Sequence, residues 1–216
     1  RMLNNLEELI LEEGPDTIGA FIAEPVMGAG GVIIPPENYF LKVQVLLKKY
    51  DVLFIADEVI CGFGRTGNMW GSDTFNLKPD ILTCAKALSG AYAPISALLI
   101  NETIISEIEN QANELGIFGH GFTYSAHPMS AAIALRTLEI YEEKKIVDHV
   151  RKMEKSFTER VRSLKKYDFV GDVRAVGLIG AIEFVSEPGS NKKPDPSRKV
   201  SAKIQQKIQE AGVILR

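Results

Sequence analysis

Hydrophobic residues follow two patterns along this chain: short continuous runs, and positions that repeat every three or four residues. Because strands buried on both faces are apolar throughout, the continuous runs predict strands of a parallel sheet. These runs occupy residues 17–24, 52–57, 81–85 and 94–100. The helical spacing predicts helices at residues 3–13, 37–49, 102–112 and 129–145. Alternation of the two patterns predicts an α/β fold with a mostly parallel sheet and helices on both faces.

The pattern changes at about residue 147. A long charged helix is predicted first, and two strands, a polar loop, a helix and a last strand follow it. The predicted helices and strands lie at 148–166, 170–176, 178–185, 198–211 and 212–216. Elements segregated in this way are typical of an α+β unit. We therefore assign residues 1–146 to part of a large domain and residues 147–216 to part of a small C-terminal domain.

Composition narrows the class of protein. The chain has 216 residues, of which 45% are hydrophobic, and this length and content predict a soluble globular protein. A net charge of -3 creates no positive field for polyanions, so we expect no nucleic-acid partner. No apolar stretch approaches the roughly 20 residues that cross a bilayer, so we expect no membrane partner.

The cysteines and histidines give no support for a metal site. Cys61 and Cys84 form no CxxC motif and have no histidine at ligand spacing, which argues against zinc and against a disulfide framework. The three histidines form no HExxH-type pair. We therefore expect no metal, and we expect a reducing compartment, the cytoplasm, with the mitochondrial matrix as the alternative.

Two of the predicted strands end next to groups of opposite charge. Asp57 ends the second strand, and Lys86 follows the third. Ligands of α/β proteins bind beyond the carboxyl ends of the strands. A lysine and an acid are the pair that pyridoxal phosphate requires, one to hold the cofactor and one to keep its ring nitrogen protonated. Each residue alone has an ordinary alternative, because most lysines are solvated surface residues and most such aspartates form caps or turns.

A second motif points to a different cofactor. Residues 62–67, GFGRTG, satisfy the GxGxxG pattern of dinucleotide-binding proteins. That pattern must lie directly between a strand and the start of a helix. Here DEVIC separates it from the strand, and the residues after it show no helical apolar period. We therefore do not expect a nicotinamide or flavin site, and the chain contains no GxxxxGK[ST] phosphate loop either.

Four segments in order along the chain carry a family resemblance: EPVMGAGGVIIPP, ADEVICGFGRTG, PDILTCAKALSGAYAPISALL and HGFTYSAHPMSAAIAL. They resemble the successive signature blocks of class III aminotransferases, which are pyridoxal-phosphate enzymes of fold type I. This family includes transaminases of 4-aminobutyrate, β-alanine, ornithine and other ω-amino acids. The residues of these segments are most similar to those of the branch that uses pyruvate or glyoxylate as amino acceptor. The resemblance implies a pyridoxal-phosphate-dependent transaminase, with residues 1–146 in the cofactor-binding domain.

The resemblance also implies roles for five residues. Lys86 matches the lysine that holds the cofactor as a Schiff base and moves a proton, and Asp57 matches the carboxylate on the pyridine nitrogen. Val59, expected on the same strand face as Asp57, matches the residue that packs on the ring. Thr123 matches the threonine that binds the cofactor phosphate of the neighbouring subunit, which implies a homodimer with shared active sites. Glu24 matches a carboxylate of the site wall, with a plain strand-end charge as its alternative.

The chain departs from the family pattern at two positions. Many members that use 2-oxoglutarate carry Gln where this chain has Ile60, and Glu where it has Ala29. These departures favour pyruvate or glyoxylate as the acceptor. Family members are about twice as long, so we expect the phosphate cup and the carboxylate-binding arginine to lie outside this sequence. A decarboxylase, racemase or aminomutase of the same fold, and a non-catalytic homologue, stay open as alternatives.

Overall fold

A computed structural model describes residues 1–215 of the chain. Its helices are α1 (Met2–Glu13), α2 (Tyr39–Lys49), α3 (Gly71–Phe75), α4 (Glu102–Leu115), α5 (Pro128–Glu143), α6 (Ile146–Ser163) and α7 (Val200–Glu210). Its strands are β1 (Ala20–Ala23), β2 (Leu53–Asp57), β3 (Ile81–Cys84), β4 (Ala97–Ile100), β5 (Val170–Val176) and β6 (Ile179–Phe184).

The first four strands form one sheet in the order β1-β2-β3-β4. β1, β2 and β3 are parallel, with Ala23 paired to Ala56 and Asp57 paired to Thr83. β4 is antiparallel to β3 and closes one edge. The predicted α/β fold with a mostly parallel sheet is therefore confirmed.

One face of this sheet packs against helices. Phe54 of β2 stacks on Phe40 of α2 with ring centroids 6.0 Å apart. Leu82 of β3 joins a second cluster with Ala134 of α5. The opposite face stays open among residues 1–215, because Ile22 is 59% exposed and Leu98 is 67% exposed. The predicted helical cover of that second face is thus not found in the described part of the chain.

The end of the chain forms a separate antiparallel pair of strands. β5 and β6 pair from Val170 with Phe184 to Val176 with Ile179, and α6 lies against β5. A two-stranded sheet with two helices is less than a complete small domain, so the predicted C-terminal domain is not present as a whole in this chain. The boundary between residues 146 and 147 stays a prediction, and hydrogen bonds from α6 to residues 67 and 68 cross it.

Two predictions about elements were wrong. The last predicted strand is absent over residues 212–215, which follow α7 as a turn and irregular chain, and position 216 lies outside the described residues. The segment after residue 67, predicted to have no helix, contains the short helix α3. Within residues 1–215, no helix combines the length and the apolar character that a membrane crossing requires.

Candidate active site

Three strand ends lie side by side at one edge of the parallel sheet. Glu24 directly follows β1, Asp57 ends β2, and Lys86 comes two residues after the end of β3. Because Asp57 is the register partner of Thr83 in β3, the acid and the lysine leave the sheet from neighbouring strands. The three predicted residues are therefore brought to the carboxyl edge, where α/β proteins bind their ligands.

Asp57 is half-buried and partly engaged in a local turn. Its Oδ1 atom accepts a hydrogen bond of 3.0 Å from the backbone N–H of Val59. Val59 was expected on the same strand as Asp57, but β2 ends at Asp57 and Val59 lies in the turn that follows. The two residues are thus joined by the hydrogen bond from the Val59 N–H to the Asp57 side chain and do not share a strand.

Lys86 is the first residue of a 3-10 turn, Lys86–Leu88. Its φ angle is 44°, in the left-handed region that residues other than glycine seldom adopt. The side chain is exposed, and no carboxylate of residues 1–215 forms an ion pair with it. The amino group of Lys86 is thus held at the sheet edge, without an ion-pair partner among residues 1–215, on a strained backbone.

Glu58 is a buried carboxylate for which the sequence analysis gave no role. Its side chain is 0% exposed. One oxygen accepts hydrogen bonds of 2.6 Å from both the backbone N–H and the hydroxyl of Ser72, and the other accepts one of 2.9 Å from Gly71. Burial raises the pKa of the Glu58 carboxyl, and these hydrogen bonds partly oppose that rise. Glu58 therefore joins the start of α3 to the end of β2 through these hydrogen bonds.

Glu24 supports a hairpin beside the sheet edge. Its Oε2 atom accepts a hydrogen bond of 2.9 Å from the N–H of Gly28, and Met27 pairs with Ile33 across the hairpin. Gly28 contacts Ile60 so closely that an added Cβ would lie 2.6 Å from the Ile60 Cδ1 atom. Ala29 follows Gly28 in the chain. The two departures from the family pattern, Ala29 and Ile60, therefore lie close to each other in the structure.

Arg174 of β5 holds the same hairpin from the other side, and the sequence analysis missed it. Its guanidinium donates to the carbonyl of Gly31 at 2.7 Å and to that of Val32 at 3.1 Å. It also forms ion pairs with Asp172 and Glu183. No local pattern could have revealed this contact, since it joins positions 143 residues apart.

The GFGRTG segment is held by hydrogen bonds from distant residues, and no helix begins in it. The Arg151 Nε atom of α6 donates to the carbonyl of Gly67 at 2.7 Å, and the N–H of Leu178 donates to the carbonyl of Arg65 at 2.9 Å. An added Cβ at Gly177 would lie 2.2 Å from that Arg65 carbonyl oxygen. The segment thus joins the two parts of the chain, and it lacks the strand-turn-helix setting of a dinucleotide site.

Thr123 lies apart from the sheet edge in the exposed connector between α4 and α5. The connector turns at this point, because the N–H of Ser125 donates to the carbonyl of Phe122 at 2.9 Å. No hydrogen bond of the described residues joins Thr123 to Asp57 or Lys86. Aromatic residues on either side are strongly exposed, Phe122 at 76% and Tyr124 at 80%.

Other sites for ligands are less well supported. One cavity is lined by residues 35–41 and 74–76, and another by 182–184, 193–196 and 199–202. Neither includes a predicted site residue. Residues 1–215 contain no cluster of three or more histidine, cysteine or acidic side chains able to hold a metal ion.

The residues at the sheet edge fit the needs of pyridoxal phosphate. That cofactor requires an amine for covalent attachment and a carboxylate for its pyridine nitrogen. Lys86 and Asp57 supply these groups from adjacent parallel strands, which lie about 4.8 Å apart. The second Asp57 oxygen accepts no hydrogen bond from any described residue, so it is available to a ligand.

Comparisons with known proteins show the family of the chain. A family model described as "Aminotransferase class-III" matches residues 1–216. "Gamma-aminobutyrate transaminase 1, mitochondrial" of Oryza sativa subsp. indica is 52% identical over 216 residues, which are all of this chain and 42% of the rice protein. The chain thus spans less than half of the length of this curated relative.

Solved structures of transaminases are similar throughout the chain. One described as "Transaminase with L-ala" is 51% identical with a TM-score of 0.95, and the match covers 99% of this chain and 50% of the other. The ω-transaminase from Pseudomonas jessenii, in complex with PMP, is 46% identical with a TM-score of 0.94. That match covers 98% of this chain and 47% of the other.

Proposed function

The chain belongs to the class-III aminotransferase family, whose enzymes depend on pyridoxal phosphate, and from that premise we propose that the protein is a transaminase. It moves an amino group from an ω-amino acid or amine, such as 4-aminobutyrate or β-alanine, to a 2-oxo acid. The observation that carries this proposal is the placement of Asp57 and Lys86 at the ends of adjacent parallel strands. Pyridoxal phosphate, when bound, supplies an electron sink for the carbon that loses its proton.

The chain's own residues supply the acid-base work. Lys86 would hold the cofactor covalently until the amine of the substrate displaces it, and the released Lys86 amine would then move a proton at the reacting carbon, a role typically worth about 10²–10⁴-fold in rate. Asp57 would hold the proton on the ring nitrogen of the cofactor. Its Oδ1 atom is fixed by the N–H of Val59, so one carboxylate oxygen orients the group while the other faces the ligand.

Three further residues complete the proposed site. Val59, in the turn after β2, would pack against the cofactor ring. Glu24 forms part of the wall through the hairpin that it supports at Gly28. Thr123 binds the cofactor phosphate of the other subunit of a homodimer, a role supported by its exposed position in a connector rich in exposed aromatic residues.

We also propose pyruvate or glyoxylate as the amino acceptor. The contact between Gly28 and Ile60 fills the space beside the Asp57 turn with apolar atoms. Neither Ile60 nor Ala29 can pair with an arginine, so these two positions offer no acidic group to regulate recognition of a second carboxylate. The similarity to a transaminase structure with L-alanine, the amine counterpart of pyruvate, agrees with this proposal.

Absorbance of the protein expressed at its full length tests the function. We expect a visible band from the bound cofactor, its loss after borohydride reduction, and a cofactor adduct on Lys86 in the mass spectrum of the peptides. Lys86→Ala should lose both the adduct and the turnover of 4-aminobutyrate or β-alanine. A protein without the band, or with an adduct on another lysine, is not the proposed enzyme. Turnover that strongly favours 2-oxoglutarate over pyruvate and glyoxylate contradicts the proposed acceptor.

The location of the protein is a separate proposal. The cytoplasm was expected, with the mitochondrial matrix as the alternative, and the rice relative is named as mitochondrial. We propose the mitochondrial matrix for a eukaryotic source on the basis of that relative. Fractionation of cells that express the full-length protein tests this, and recovery in the cytosol alone contradicts it.

A further inference from the structure

The turn that carries Lys86 needs support from outside itself. Lys86 has a φ angle of 44°, and a residue other than glycine keeps such a sparsely populated conformation only when its surroundings enforce it. The turn has three local hydrogen bonds: the N–H of Leu88 donates to the carbonyl of Ala85 at 2.9 Å, that of Ser89 to Lys86 at 3.3 Å and that of Gly90 to Ala87 at 3.2 Å. A single 3-10 turn with bonds of this kind does not hold a strained residue in place by itself.

Tyr141 of α5 supplies the outside contact. Its hydroxyl donates a hydrogen bond of 2.5 Å to the carbonyl of Ala87, the residue after Lys86. Among the described side chains, no other one outside residues 85–93 donates to this turn. The contact joins positions 54 residues apart, so it ties the turn after β3 to α5.

The tyrosine ring is itself fixed by packing. It lies against Phe63 with ring centroids 6.1 Å apart, and it borders the buried cluster that includes Leu88 at the end of the turn. Burial raises the pKa of the Tyr141 hydroxyl, so the group stays a hydrogen-bond donor across the neutral and mildly alkaline range. The hydroxyl is therefore held at one position relative to the Ala87 carbonyl.

We propose that Tyr141 is a positioning residue for Lys86: its hydroxyl, through the Ala87 carbonyl, keeps the lysine backbone in the left-handed conformation that aims the amine. This inference rests on the proposed function, because it assigns Lys86 the role of the reacting amine. Tyr141 acts on Lys86 through the backbone, because its hydroxyl bonds the carbonyl of Ala87. A displacement of a reacting group by about 1 Å can lower a rate by about 100-fold, so a single hydrogen bond at this place can affect turnover strongly.

Tyr141→Phe tests the proposal, since it removes the hydroxyl and keeps the ring. In the full-length holoenzyme we expect kcat to fall by about 10-fold to 100-fold, with KM for the amino donor within about twofold of the parent. In the cofactor-free protein we expect the amides of residues 86–90 to exchange hydrogen about 10-fold faster, while those of β1 and β2 stay unchanged.

Two control variants separate the hydroxyl from general packing. Tyr50→Phe removes a hydroxyl that donates to Glu7 on α1, far along the chain from the Lys86 turn, and it should leave kcat and exchange at 86–90 unchanged. Phe63→Leu loosens the packing of the Tyr141 ring but keeps its hydroxyl. It should speed exchange at 86–90 by clearly less than Tyr141→Phe does.

The proposal is overturned if Tyr141→Phe matches the parent in both kcat and exchange, or if Tyr50→Phe or Phe63→Leu reproduces its losses. The two readouts also distinguish this failure from a failure of the proposed function. If the parent has no transaminase activity, the function is refuted. Exchange in the cofactor-free protein then still reports whether the hydroxyl of Tyr141 holds the Lys86 turn.

Discussion

Glu58 shows how one residue can combine a structural task with a cost in free energy. Its buried carboxylate accepts three hydrogen bonds from Gly71 and Ser72 and so fixes the chain that follows Asp57. The same burial removes the charge from water, and this desolvation is the largest cause of its raised pKa. Glu58, the residue after Asp57, is therefore held tightly by its hydrogen bonds, although its burial favours the protonated form of its carboxyl.

The stability of the protein should reflect this raised pKa. An acid whose pKa is higher in the folded than in the unfolded chain binds its proton better when folded, so its contribution to stability falls as pH rises from about 4.3, the usual pKa of glutamate, through the raised pKa. We expect the parent to lose stability relative to Glu58→Gln across this window, by at most about 1.4 kcal/mol per pH unit.

Urea unfolding of the cofactor-free protein between about pH 4.5 and pH 8 measures this difference. Glu12→Gln, on the exposed surface of α1, serves as the control and should show no such trend. A parent that gains stability relative to Glu58→Gln as pH rises would mean that the hydrogen bonds outweigh the burial.

Residues at strand ends could be predicted from the sequence, whereas those that hold them could not. Asp57 and Lys86 were identified because apolar runs end beside them, and the parallel sheet brings these ends to one edge. The roles of Tyr141 and Arg174 depend on hydrogen bonds to positions 54 and 143 residues away. A pattern within one segment carries no information about such contacts.

The same distinction holds for whole elements. β5 was predicted with its observed bounds, Val170–Val176, and it ends at the tight turn of Gly177. The five residues of α3 are too few for an apolar period, and their first two amides are held by Glu58. The predicted last strand finds no neighbouring strand in the described chain, and an unpaired strand has no partners for its backbone groups.

The hairpin between Met27 and Ile33 is the element most dependent on a distant contact. Arg174 bonds its carbonyls, and the Arg174 side chain is only 17% exposed. Arg174→Met should lower the free energy of unfolding by about 1–3 kcal/mol, because two carbonyls and two carboxylates lose a partly buried partner. It should also speed hydrogen exchange at residues 27–33, which mass spectrometry of the full-length protein can measure.

Arg136 on α5 provides a matched control for this prediction. It also forms two ion pairs, with Glu139 and Glu143, but its side chain is 55% exposed. Exposed ion pairs are weakened by solvent, so Arg136→Met should change stability far less than Arg174→Met and should leave exchange in the hairpin unchanged. Equal effects of the two substitutions would show that Arg174 does not hold the hairpin.

At the scale of the whole molecule, the described chain leaves two apolar surfaces open. One is the sheet face that includes Ile22 and Leu98, and the other is the connector between α4 and α5. Exposed apolar patches of this kind mark places where protein surfaces meet. The proposed homodimer would cover the connector and would bring Thr123 of one subunit to the cofactor phosphate of the other.

Mixed dimers of two inactive variants test this arrangement directly. In a dimer of one Lys86→Ala subunit and one Thr123→Val subunit, shared sites would place both substitutions in one active site and leave the other intact. Because random mixing makes about half of the dimers mixed, co-expression of full-length variants should restore about one quarter of the parent's activity. If Thr123 serves its own subunit, every site of the mixture carries a substitution and activity stays at the level of the separate variants. That result would refute the shared site, while a purified monomer with full turnover would refute the requirement for a dimer.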